Sequence, residues 1–136
     1  MPRECTRAVL RLSGDERMVC GVGATMAYFA ERAGLAQGSC KSLVTALEEF
    51  CLDVLPSIQG TDEPLDVAIE DFEDRIQIIV EHRNAKEAAR GARPAQNANS
   101  EIAPERMTLS RLARVVDRVE CDTRDGSTRT TLVKFL

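Results

Sequence analysis

Histidine is nearly absent from this chain: His82 stands alone, and the five cysteines (Cys5, Cys20, Cys40, Cys51 and Cys121) include no close pair. Zinc sites draw Cys and His ligands from short recurring spacings, so these residues argue against one. Disulfides are not needed to brace the fold, because 136 residues can bury a core unaided. Cys20 and Cys51 fall within helical patterns and read as small buried hydrophobes of a reducing compartment. Long apolar runs are missing as well. No stretch approaches the length of a membrane span, and the N-terminus lacks the charged, apolar and small-residue order of a signal peptide. The expectation is a soluble cytoplasmic protein without a membrane partner. A basic excess is also lacking: the net charge of -4 argues against direct nucleic-acid binding.

Lysine and arginine disappear entirely between Ser42 and Asp74, where acids stand at positions 48, 49, 53, 62, 63, 66, 70, 71, 73 and 74. The last third is instead studded with Arg106, Arg111, Arg114, Arg118, Arg124 and Arg129. Such segregation suits internal pairing of the two halves or a protein partner read by charge. The richest segment runs from Leu43 to Ile58. Leu43, Leu47, Phe50, Val54 and Ile58 recur at spacings of three and four, which aligns them on one helical face. Glu49 and Asp53 sit one turn apart beside that face. Like charges at the edge of a buried surface are costly unless a metal, a cation or a mobile proton uses them. A plain solvated acidic face is the simpler alternative.

The remaining elements follow from periodicity. Thr6 to Ser13 alternates as an outer strand, with Ala8, Leu10 and Leu12 on one side, before a turn and helix cap at Ser13-Gly14-Asp15. Val19, Val22, Met26, Phe29 and Ala33 define a first helix that stops at Gly34, with Met18 as a further core candidate. The acidic helix opens near Gly38-Ser39 and closes by Pro56 to Gly60. Leu65, Val67 and Ile69, then Ile76, Ile78 and Val80, form a hairpin around Glu73-Asp74. Residues 84–106 lose all periodicity and read as a lid-like loop. Met107 to Asp117 returns to helix with Leu109, Leu112, Ala113 and Val116 on one face, and a last hairpin turns at Asp125-Gly126. The order β-α-α-β-β-lid-α-β-β predicts a single α/β (α+β) domain over residues 1–136. Its architecture is a two-layer sandwich, a mixed, largely antiparallel sheet covered on one face by three helices.

That order, with Ala46-Leu47-Glu48-Glu49-Phe50-Cys51-Leu52-Asp53 and the tail Val115-Val116-Asp117-Arg118-Val119-Glu120 through Thr131-Leu132-Val133-Lys134-Phe135-Leu136, resembles the histidine-kinase-like ATP-binding fold of the GHKL class. Within that class the chain is most similar to the small anti-sigma-factor serine kinases of bacterial partner-switching systems. The resemblance implies that Glu49 is the catalytic residue orienting or deprotonating a substrate serine. It places Asp53 where the family has the asparagine that holds magnesium; aspartate is a competent hard ligand but adds charge near phosphates. His82 falls where an aspartate anchors adenine, and Asn84 where a glycine belongs. Before the third helix, Arg106 and Thr108 occupy a segment that is glycine-rich in the family, because glycine lets backbone approach an anion.

The resemblance therefore implies a transcription regulator that docks a protein partner, a sigma factor or an anti-sigma antagonist, with ATP and magnesium binding weakened or lost. The alternative is a working Mg-ATP-dependent serine kinase with Glu49 as base and Asp53 as metal ligand, Arg83, Arg106 or Arg111 replacing the missing cradle. A small domain of other ancestry fits the same elements, and a homodimer is compatible with either role. For His82 the plainer expectation is a solvent-facing or capping residue at a strand end.

Overall fold

The computed structural model describes residues 6–83 and 104–136, with side chains in the second stretch from Ser110 onward. Five strands, β1 (Thr6–Leu12), β2 (Leu65–Asp71), β3 (Arg75–Arg83), β4 (Arg118–Arg124) and β5 (Ser127–Phe135), form one sheet in the order β1-β2-β3-β5-β4. All four pairings are antiparallel, so no parallel ladder interrupts the sheet. Helices α1 (Val19–Arg32), α2 (Gln37–Val54) and α3 (Pro104–Val115) supply the second layer. The expected two-layer α+β sandwich is the fold.

Alternation on each strand builds the interface between the layers. Leu12, Leu65, Val67, Ile69, Ile76, Ile78, Val80 and Leu132 are buried on one face, and Val22, Met26, Phe29, Leu43, Leu47, Phe50 and Leu112 meet them from the helices. Each such side chain removed from water contributes roughly 1.5–3 kcal/mol before entropy is set against it. The opposite face carries charge, including Arg11 paired through two hydrogen bonds (2.8 and 3.1 Å) to its register partner Asp66.

Local chemistry fixes the element ends. The Asp15 carboxylate accepts from the backbone N–H of Arg17 and caps a short 3-10 turn that leads into α1. At the far end Gly34 adopts a φ of 85°, and Gly34 and Leu35 donate to the carbonyls of Glu31 and Ala30, a Schellman stop. Asp125 and Gly126 turn β4 into β5 with φ of 51° and 80°, the left-handed pair that a two-residue hairpin requires.

Several sequence expectations shift. Met18, which ends the 3-10 turn before α1, is 42% exposed, and Cys20 is exposed on the solvent side of the α1 spiral. Ala113 is exposed, so among its described side chains α3 meets the core through Leu112 and the partly buried Val115, with Val116 just past its end. β3 runs three residues past Val80, since its register with β5 continues to Arg83. α3 begins at Pro104, a residue pre-shaped for a first helical turn, which shortens the expected 84–106 loop. Residues 84–103 of that loop lie outside the described residues, as does Cys5.

Candidate functional site

α2 presents its acids on two different flanks. The line of Leu43, Leu47, Phe50 and Val54 points into the core, so neighbours in sequence diverge by about 100° around the axis. Glu48 turns toward α1 and lies across Gly23, where an added Cβ would sit 2.6 Å from the Glu48 Cδ. That glycine, a weak helix former by propensity, makes room for the carboxylate between the two helices. Glu49 turns the other way. Its Oε2 accepts a hydrogen bond from Nη1 of Arg111 on α3 at 3.0 Å, with the two side chains 40% and 57% exposed.

Asp53, one turn after Glu49 on the same flank, is half-buried and makes no ion pair or hydrogen bond with a described residue. No group of three or more His, Cys, Asp or Glu side chains converges among the described residues. Magnesium commonly takes one protein carboxylate and completes its shell with phosphate and water, and Asp53 supplies one oxygen donor of that kind.

His82 lies near the end of β3 on the helix-facing side, continuing the line of Ile76, Ile78 and Val80. It is only 6% exposed, which overturns the expectation of a solvent-facing or capping histidine. The cause is register: Leu65 on β2 and Thr128 on β5 flank it in the sheet. Its Nδ1 is buried and has no hydrogen-bond partner among the described residues. Burial pushes its pKa below the ordinary histidine value, which favours the neutral ring. A neutral imidazole with a bare Nδ1 can accept a hydrogen bond from a ligand N–H once the other nitrogen carries the proton.

The surroundings of His82 differ from the rest of the core. On β5, beyond Leu132, the inner face turns polar, with Thr130 buried beside Val80 and Cys121 at 3.8 Å from its hydroxyl. Thr123 and Thr128 contact each other at 3.3 Å. These threonines were not singled out from the sequence. The Asp125-Gly126 turn held the signal, since it pairs Thr128 with Thr123 and Thr130 with Cys121 once the hairpin register is set.

Of the other residues the resemblance named, Asn84 lies outside the described residues. Arg106 and Thr108 belong to the backbone of α3, and their side chains are outside the described residues too. A cleft of about 480 Å³ opens at His82 itself, at the end of β3, where Glu63, Asp66, Glu81, Arg83 and Arg124 also line it. Its charges are partly answered within the chain, as Arg83 approaches Glu63 at 3.7 Å and Arg11 holds Asp66. It contains none of the α2 acids.

No protein-family model matches this chain, and no curated protein matches it. Function is therefore read from the site itself. The arginines of the last third pair with the acidic middle at only one described contact, Arg111–Glu49; Arg118 and Arg124 pair locally with Glu120 and Asp122. Exposed pairs of this kind contribute on the order of 0–1 kcal/mol, too little to hold these arginines against exchange with another anionic partner. No described helix is long and apolar enough to cross a membrane.

Thiol chemistry separates the cysteines. Cys51 is fully buried, and burial reinforced by the nearby Glu48 carboxylate pushes its thiol up to about 12. Cys40 is also buried, with its Sγ at 3.4 Å from the Leu35 carbonyl. A maleimide-labelling experiment read by peptide mass spectrometry is expected to modify Cys20 and Cys121 in the native protein. Cys40 and Cys51 should label only after denaturation; early labelling of Cys51 would show that the α1–α2 core opens readily.

Proposed function

We propose that this chain is a regulatory protein built on a histidine-kinase-like ATP-binding scaffold, acting by docking a protein partner with nucleotide binding weak or lost. The partner class is a sigma factor or an anti-sigma antagonist, and the compartment is the cytoplasm. The α2 and C-terminal segments that resemble the anti-sigma-factor serine kinases support this reading, and so does the order of elements. The observation that carries it is the Glu49–Arg111 pair: the carboxylate that would receive a serine proton is engaged by a guanidinium at 3.0 Å. The arginine-rich last third supplies exposed charge for a protein partner.

One observation favours the second reading, an active Mg-ATP-dependent serine kinase. The bare, buried Nδ1 of His82 beside Thr128 and Thr130 is an acceptor suited to an exocyclic amine such as that of adenine. In that reading Asp53 would hold magnesium, which would supply charge neutralisation at the phosphates, and Glu49 would leave Arg111 to act as the base.

A calorimetric titration with ATP and magnesium, repeated on Asp53→Ala, separates the two. The docking reading expects no saturable heat at millimolar nucleotide from protein shown to be folded. Saturable binding that disappears in Asp53→Ala would install the kinase reading, and Glu49→Gln should then abolish phosphotransfer while leaving partner docking intact.

A further inference from the structure

Between the first two-thirds of α2 and the C-terminal end of α3 lies a groove of about 390 Å³. Ala46 and Val115 give it a small apolar floor, while Gly38, Lys41, Ser42, Thr45, Glu49 and Arg111 stand around it. Lys41, Thr45 and Glu49 recur every four residues, so they form one ridge along α2, and Arg111 with Val115 forms the facing ridge of α3.

We propose that this groove is a binding site for a phosphomonoester carried on an apolar body. The two cations come from opposite walls. Lys41 makes no ion pair among the described residues, and Glu49 engages one nitrogen of a guanidinium that has five N–H donors. A tetrahedral oxyanion between them can accept from the ammonium, from the remaining guanidinium N–H groups and from the hydroxyls of Ser42 and Thr45. A planar carboxylate has fewer oxygens to offer and one charge to the phosphate's near-two. The apolar floor adds a place for the group that bears the phosphate, which separates this site from one for free inorganic phosphate.

Occupation of the groove competes with an existing contact. The phosphate and the Glu49 carboxylate share Arg111 and repel each other, so an anion on the remaining N–H groups weakens the Glu49–Arg111 contact. The anion site and the acidic flank of α2 are thereby linked, with Arg111 as the shared group. Linkage is reciprocal: whatever draws Glu49 away from Arg111 strengthens anion binding by the same factor. The site itself needs neither a nucleotide nor a protein partner.

The test is a heteronuclear NMR titration of the full chain with phenyl phosphate, using inorganic phosphate and benzoate as comparison ligands. Saturable shifts are expected at amides of residues 38–49 and 111–115, with affinity in the order phenyl phosphate above inorganic phosphate and above benzoate. Lys41→Ala and Arg111→Ala should each weaken phenyl phosphate roughly tenfold, the usual scale for one charge-assisted contact. Glu49→Gln should tighten it several-fold, because the competing carboxylate is gone. Arg111→Lys keeps the charge and guards against a folding defect; it should retain part of the affinity. Absence of saturable shifts at millimolar ligand overturns the site. Binding indifferent to Lys41 and Arg111 places the anion elsewhere and overturns it too. Benzoate binding as tightly as phenyl phosphate overturns the assignment to phosphate. ATP titration and partner docking are read separately, so none of these results is confused with failure of the regulatory reading.

Discussion

Phe50→Ala is expected to destabilise the protein by roughly 3–5 kcal/mol, the largest effect of any single truncation on α2. Phe50 is 2% exposed and sits midway along the buried stripe between Leu47 and Val54. Removing the ring deletes its transfer free energy and leaves a cavity that α1, α2 and the sheet, each pinned by its own contacts, can close only in part. Small domains hold only about 5–15 kcal/mol in total, so the loss takes a large share of the margin. Urea denaturation against Leu52→Ala checks it. Leu52 lies two residues away on the same helix but is exposed, and its truncation should stay within about 0.5 kcal/mol. Equal midpoints for the two variants would mean that α2 is not anchored by this stripe. The consequence for function is direct: Phe50 and Glu49 are adjacent in sequence, so the packing that seats the ring also aims the carboxylate at Arg111. Loss of docking in Phe50→Ala would report on the scaffold, whereas loss in Arg111→Ala at unchanged stability would report on the site.

The sheet and helices were legible because their signals are local and repeated. Alternation over Leu65–Ile69 and Ile76–Val80 marks two strands, and a left-handed turn pair in Asp125-Gly126 admits little else than a hairpin. Side-chain direction at element ends was less legible. His82 lies past the last clearly apolar position of β3, and only pairing with Leu65 and Thr128, far away in sequence, decides that the strand continues and the ring turns inward. Ala113 and Met18 show the same limit from the helix side. Both fit an apolar spacing, but whether a helix flank meets a neighbour depends on where that neighbour lies. The acidic flank was half legible. Spacing correctly grouped Glu49 with Asp53; that Glu48 belongs to α1 and Glu49 to α3 follows from the order of helices across the sheet.

Stability is expected to fall as pH drops below about 6.5, and His82 is the group that sets the window. Burial lowers its folded-state pKa below the ordinary value, and no described partner compensates the ring. Above pH 6.5 the imidazole is neutral in both folded and unfolded chains, so its contribution is fully present. Between 6.5 and the depressed folded value the unfolded chain binds a proton that the folded chain refuses. Folding is penalised there by a slope that approaches, without exceeding, about 1.4 kcal/mol per pH unit. Below the folded value both states are protonated and this loss levels off. Carboxylates across the molecule add their own acid dependence, so the measurement is a difference: urea midpoints at pH 7.5, 6.5 and 5.5 for the wild type and His82→Gln. The glutamine variant carries no titrating ring, and the gap between the two curves should change in its favour as pH falls. Parallel curves would mean that His82 reaches solvent or a partner when protonated. The same proton governs ligand binding at this position. A base that donates an N–H to Nδ1 needs the neutral ring, so any such complex should weaken over the window in which the folded ring takes up its proton, while anion binding at Lys41 and Arg111 should follow the phosphate's own titration and be unchanged by His82→Gln.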